Sequence, residues 1–134
     1  MFIEGDKVVK IGLVLVRDAS VLLVRRTTSP ILILPGGKPE GGETDEQALV
    51  REIREELRCH LDPASLEYLG EYEDELADDP SRRVLIRLYR GELEGRPQPS
   101  SEIGEIVWHS LADLDATELA PSLRHQILND IAGG

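Results

Sequence analysis

Glu52, Glu55 and Glu56 stand at i, i+3 and i+4 in the run Arg51-Glu-Ile-Arg-Glu-Glu-Leu57. On a helix turning about 100° per residue, these three carboxylates share an arc roughly a quarter of the circumference wide. Leu49, Val50, Ile53 and Leu57 fall on a neighbouring arc. Like charges at this spacing destabilise an isolated helix by roughly a few tenths of a kcal/mol each. Taken alone, the three acids also read as a solvated face balanced by Arg51 and Arg54. A divalent cation would reverse that energetics, because Mg²⁺ takes carboxylate oxygens together with water and substrate phosphate. The second signal lies just upstream, in Leu34-Pro-Gly-Gly-Lys-Pro-Glu-Gly-Gly-Glu43. Its glycines let backbone approach a phosphate or a metal without side-chain obstruction.

Regular elements must hold these groups in place. Val8 to Val16 is rich in β-branched residues and reads as a central strand. A turn at Arg17 to Ser20 leads into a second strand, Val21 to Arg26, giving a hairpin. A short strand, Ile31 to Leu34, ends at the glycine loop. Thr44 is a helix N-cap with Gln47 three residues on, and Asp45 and Glu46 suit the positive end of the dipole. That helix should run to about His60 and must stop by Asp62-Pro63. Leu66 to Tyr72 and Val84 to Arg90 follow as strands around an acidic loop, Glu73 to Pro80. Gly91 to Ser101 is a surface loop, Ile103 to His109 a further strand and Leu111 to Leu114 a helical turn or short helix. Ser122 to Ile131 is a terminal helix. The expected architecture is a mixed central sheet between helices, an α/β/α sandwich, in one domain spanning 1–134.

Bulk properties limit the function classes. A chain of 134 residues, 40% hydrophobic and 31% charged, suits one soluble globular domain. The formal charge of −11 argues against gripping duplex nucleic acid, which needs a basic face. No apolar run approaches the roughly 20 residues of a membrane span. Two acids within Met1 to Lys7 argue against an export signal, and the lone Cys59 fits a structural thiol in a reducing compartment. A cytoplasmic protein is expected. His60, His109 and His125 show no metal-ligand spacing.

The glycine loop and acid triad together resemble the Nudix hydrolase signature: Gly, five residues, Glu, seven residues, then Arg-Glu-apolar-any-Glu-Glu-any-Gly-apolar. Gly37, Glu43, Arg51, Glu52, Ile53, Glu55, Glu56 and Cys59 match in register over 23 residues. Arg58 alone departs, standing where the family has Gly. Either Arg58 accepts a left-handed backbone, or the helix runs on to about His60.

The resemblance implies a MutT-like enzyme that cuts a diphosphate bond in a nucleoside triphosphate or related nucleotide. It implies Mg²⁺, with Mn²⁺ as a substitute, held by Glu52, Glu55, Glu56 and the Gly36 carbonyl. Arg51 would orient the carboxylates, and Glu43 would tie the loop to the helix. The general base stays open between Glu55, Glu102 and Glu105. Arg26 and Lys38 are candidates for gripping phosphate, and Trp108 for stacking on a base. Relatives that read an oxidised guanine use an Asn near the start of the last helix, where this chain has Ala120-Pro121-Ser122-Leu123. The alternative is a Nudix-fold module that senses a nucleotide without cutting it, although such modules commonly lose box carboxylates. Many relatives are homodimers, and the sequence leaves that open here.

Overall fold

The structure, a computed structural model, describes residues 3–4 and 7–133. Met1, Phe2, Gly5, Asp6 and Gly134 lie outside the described residues, and with them most of the segment read above for an export signal.

The apolar run after Asp6 forms β2 (Lys7–Val14), which follows a two-residue β1 (Ile3–Glu4). The run was expected to continue to Val16 as one strand, but it divides at Leu15. The chain leaves one sheet at Val14 and joins a second at β3 (Val16–Arg17). Asp18 and Ala19 both take positive φ, 52° and 59°, and return the chain into β4 (Ser20–Arg26). Two such central residues match the twist of a tight hairpin. The hairpin is therefore real but short: β4 pairs with β3, not with β2. The short strands β5 (Leu32–Ile33) and β6 (Gly36–Gly37) follow, the second pairing with Ile11 and Gly12 of β2.

Helix α1 (Asp45–Leu57) starts on the capping box read from sequence, with the Thr44 hydroxyl accepting from the Gln47 N–H. It stops earlier than His60. Arg58 takes a left-handed conformation, φ 56°, and its N–H donates to the Arg54 carbonyl. The chain has kept the family's terminator geometry without its glycine. That geometry costs a side chain with a Cβ roughly 1–2 kcal/mol. Arg58→Gly should therefore raise stability by about 0.5–1 kcal/mol, measured by urea unfolding. The substitution loses only an exposed hydrogen bond from Arg58 Nε to Ser100 Oγ at 3.2 Å.

Beyond α1 come β7 (His60–Leu61), β8 (Glu67–Leu76), β9 (Asp79–Arg90), β10 (Leu93–Glu94) and β11 (Ile103–Ser110). The segment Glu73 to Pro80 is not an acidic loop. Most of it is strand, with β8 and β9 joined at Ala77-Asp78. Partners absorb its charge: Glu73 meets Lys7 at 2.9 Å and Arg83 at 3.2 Å. Asp74 is buried against His125 and Gln126. The Leu111 to Leu114 region is a turn rather than a helix. The terminal helix opens as a π-helical stretch, Leu123–Ile127, before α2 (Leu128–Gly133).

One sheet runs β1-β2-β9-β8, with β6 beside β2, and is mixed because β2 and β9 are parallel. The other runs β11-β4-β3, with β5 beside β4. Alternation decides the layers. Ile11, Leu13, Leu22 and Val24 face α1 through Leu49, Ile53 and Leu57. Val14, Val21, Leu23 and Leu88 face the terminal helix through Leu123, Ile127 and Leu128. The sandwich expected from the sequence is thus formed. No helix among the described residues is long and apolar enough to cross a membrane.

Candidate active site

The site sits where the glycine loop passes the acid-bearing side of α1. Packing fixes it: Ala48, Leu49, Ile53 and Leu57 bury one side of the helix, so the adjacent side, with Glu52, Glu55 and Glu56, borders the loop. Gly36 lies so close to β2 that a Cβ there would collide with the Ile11 carbonyl, at a positive φ of 139°. Its N–H donates to Glu56 Oε1 at 3.0 Å, a buried link from loop to helix.

Arg51 organises the remainder. Its Nε and Nη2 donate to the two Glu43 oxygens at 2.8 and 3.0 Å, and Nη1 donates to Glu52 Oε1 at 2.7 Å. Nη2 also reaches the Lys38 carbonyl at 3.1 Å. Glu55 Oε2 and Glu40 Oε1 stand 3.6 and 3.5 Å from Nη1. One guanidinium thus holds the loop and two helix acids, as its planar fork of donors allows. Its hydrogen bonds hold the Glu43 carboxyl down to about 2 and push the Arg51 guanidinium up.

Burial has the opposite effect on the other acids. Glu56 is only 9% exposed, and desolvation pushes its carboxyl up to about 8. Burial also raises Glu52, against the lowering pull of Arg51. Two desolvated carboxylates on one wall are undercompensated by protein charge alone, the condition a bound cation relieves. Among the described residues no three acids, histidines or cysteines close into a ready metal cage. Glu52 is turned to Arg51 and Glu56 to the Gly36 N–H. They open nevertheless onto a single cleft of about 970 Å³, with ample room for a hydrated ion.

Gly37 shows how closely the loop fits. A Cβ at that position would lie 2.6 Å from the Glu52 carboxyl carbon. Arg51 pins that carboxylate, so Gly37→Ala should displace it, lowering kcat/KM about tenfold or more while the melting temperature changes little. Steady-state kinetics beside a thermal melt would check this.

Of the residues singled out from sequence, Arg26, Lys38, Arg51, Glu52, Glu55, Glu56 and Glu102 all line this cleft. Gly36 is not among the residues that line it, and is tied to it through the hydrogen bond from its N–H to Glu56. Arg26 Nη1 stands 3.8 Å from Glu102 Oε2, so the late loop does reach the site. Glu105 lies apart, paired with Arg25 at 3.3 Å. Trp108 is not brought in either. It is 40% exposed on β11, with the Arg17 guanidinium 5.8 Å from its ring centre. The residue that sequence reading missed is Lys10, on β2 at the cleft floor. Burial, then Arg26 and Lys38, lower its ammonium to about 8. The available signal was a lone cation inside the apolar run Val8-Val9-Lys10-Ile11.

Comparison with known proteins supports the resemblance. The family model described as NUDIX domain matches residues 6–129. The chain is a Nudix hydrolase. It is 30% identical to the 8-oxo-dGTP diphosphatase of Escherichia coli over 123 residues, covering 85% of this chain and 88% of that one. It is 32% identical to the putative 8-oxo-dGTP diphosphatase 2 of Mycobacterium tuberculosis over 114 residues, covering 82% and 78%. Among solved structures it is similar to the MutT NUDIX hydrolase of Burkholderia pseudomallei, with a TM-score of 0.72 and 26% identity, covering 89% of this chain and 96% of that one. This Nudix hydrolase is therefore MutT-like in sequence and in fold. Its box departs from the family signature only at Arg58, two residues beyond Glu56.

Proposed function

We propose that this Nudix hydrolase cuts a diphosphate bond in a nucleoside triphosphate or closely related nucleotide, using a divalent cation. The observation that carries the reading is the two-walled cleft. Glu52, Glu55 and Glu56 line one side, and Lys10, Arg26 and Lys38 supply cations to the same space. In a chain of net charge −11, a cleft that gathers Lys10, Arg26, Lys38 and Arg51 among its acids suits a polyphosphate and its counter-cation.

The carboxylates of Glu52, Glu55 and Glu56 and the Gly36 carbonyl offer the hard oxygen donors that Mg²⁺ or Mn²⁺ accepts. When bound, such a cation supplies charge neutralisation at the diphosphate and makes water more acidic. The chain's own groups do the rest. Arg26 and Lys38 grip the phosphates and hold them in line for attack. Arg51 keeps Glu52 and Glu43 in register, so that the loop and helix present one rigid wall. Glu55, half exposed, and Glu102, 3.8 Å from Arg26, are the candidates for taking a proton from the attacking water. Attack at one phosphorus then yields two phosphorylated products.

The relatives named as 8-oxo-dGTP diphosphatases favour a triphosphate. Ala120-Pro121-Ser122-Leu123, which lacks the Asn associated with oxidised guanine, argues against strict selection for that base. The test is a panel of nucleoside triphosphates (8-oxo-dGTP included), nucleotide sugars, ADP-ribose and dinucleotides, with Mg²⁺, with Mn²⁺ and with chelator. Cation-dependent release of a nucleoside monophosphate is expected. Binding without cleavage across the panel would instead identify a sensing module.

A further inference from the structure

Among the described residues, four other than glycine sit at positive φ. Asp18 and Ala19 make the β3–β4 hairpin. The other two, Arg58 at 56° and Ser101 at 58°, flank a single contact, the hydrogen bond from Arg58 Nε to Ser100 Oγ at 3.2 Å. Backbone held in that region is over-determined by its surroundings, and such strain gathers at functional segments. Glycine at position 58 would end α1 with the same turn and without the local cost. It has no side chain to reach Ser100.

The contact lies where the end of α1 needs partners, because the last carbonyls of a helix find none within it. Here the Glu56 and Leu57 carbonyls accept from the Ser100 and Gln98 N–H groups at 3.0 and 2.9 Å. The turn at Arg58 sends β7 out to pair with β10, and the chain beyond β10 returns across the helix end. Ser100 then roots a tight turn. Its carbonyl accepts from the Ile103 N–H at 3.1 Å, with Ser101 and Glu102 between them. Both of those residues line the cleft. The Glu102 carbonyl accepts from the Thr27 N–H at 2.9 Å, and its carboxylate stands 3.8 Å from Arg26 Nη1. That side chain is 76% exposed, so its place depends on the turn that carries it rather than on packing of its own.

Resting on the hydrolysis read above, we propose that Arg58 is a positioning residue, whose hydrogen bond to Ser100 holds the turn that presents Glu102 to the cleft. Arg58 itself touches no substrate. The backbone cost at the end of α1 is the counterpart of a fixed place for an acid supplied by a distant segment.

The test combines Arg58→Gly, Ser100→Ala and Glu102→Gln, with the best substrate of the panel. Arg58→Gly and Ser100→Ala should each lower kcat about three- to fivefold, the loss of one exposed hydrogen bond, and leave KM nearly unchanged. The double variant should be no slower than either single one, since both remove the same contact. In a Glu102→Gln background Arg58→Gly should have no further effect. Arg58→Gly should also melt no lower than the wild type, which separates positioning from a loss of fold. Wild-type kcat in Arg58→Gly, full turnover in Glu102→Gln, or an equal fall with and without Glu102, each overturns the assignment. Amide exchange supplies a readout that needs no substrate. Exchange at the Ser100 and Thr27 N–H groups should quicken about three- to fivefold in Ser100→Ala (at position 100 itself) and in Arg58→Gly, and unchanged rates at both sites overturn the assignment as well. If the wild type hydrolyses nothing in the panel while exchange quickens as expected, the hydrolysis reading fails and the hold of Arg58 on the turn stands.

Discussion

Glu56→Gln should lower turnover by about 10³-fold and yet give a protein that melts higher than the wild type in chelator at pH 8. On the function proposed above, the activity loss follows from removing a carboxylate that would help to hold the divalent cation, where a single preorganised electrostatic contact is worth roughly 10²–10³ in rate. The gain in stability follows from burial. Glu56 is almost fully enclosed, and its carboxyl is pushed up to about 8 in the folded protein against an ordinary value of 4.5. Between those two values the folded state holds a proton that the unfolded state has released. Without a cation, stability therefore falls as pH rises through that window. Gln keeps an oxygen for the Gly36 N–H, 3.0 Å away in the wild type, and removes the titration. The difference in stability should be negligible near pH 4 and grow by at most about 1.4 kcal/mol for each pH unit crossed, levelling off above pH 8. Saturating Mg²⁺ should reverse the order, raising the melting temperature of the wild type more than that of the variant. Thermal melts from pH 4 to 9, with and without Mg²⁺, would show this. A wild type that outlasts Glu56→Gln at pH 8 in chelator would mean that Glu56 is not an uncompensated buried acid.

Arg51→Ala should be the most destabilising single change at the site, costing about 3 kcal/mol of stability and at least about 10² in kcat/KM. Among the described residues the guanidinium alone contacts Glu43, Glu52 and the Lys38 carbonyl together, and its side chain is 22% exposed. Hydrogen bonds to charged groups contribute about 1.5–3 kcal/mol, and deleting one partner strands the other in a half-buried wall. Arg51→Lys retains the charge but not the fork that spans Glu43, so it should recover part of the stability and little of the rate. The Glu43 carboxyl adds a pH signature. Arg51 depresses it to about 2, so this link stabilises the fold above the ordinary carboxylate value and is lost as pH falls from about 4.5 toward 2. Arg51→Ala should therefore flatten the acid limb of the stability profile. Urea titrations at pH 3 and 7 would measure it, and an unchanged acid limb would contradict the assignment.

What was legible in the sequence was mostly local. The capping box of Thr44 and Gln47, the arc shared by Glu52, Glu55 and Glu56, and the apolar strands depend on residues a few positions apart, and each formed as its spacing implied. The 73–80 segment misled because Glu73 is paired with Lys7 and Arg83 and Asp74 is hydrogen-bonded to His125 and Gln126, partners 10 to 66 positions away. The helix end misled in another way. Propensity disfavours a left-handed Arg, but stopping at Leu57 lets Cys59 and Leu61 join the core under α1. Tertiary burial outweighed a local cost of roughly 1–2 kcal/mol.

By itself the sequence determined the acid-bearing helix, its glycine loop and the family to which they belong, because those features are written in spacings that one element reads. Which cations face the acids was decided by the tertiary structure. Lys10 and Arg26 come from separate strands, Lys38 from the loop and Glu102 from beyond the surface segment, and they share a space only once β2, β6 and α1 pack together. Trp108, close to Glu102 in sequence, ends outside that space, held on β11 beside Arg17. Coulomb and desolvation energies depend on distance and burial, which chain order does not encode.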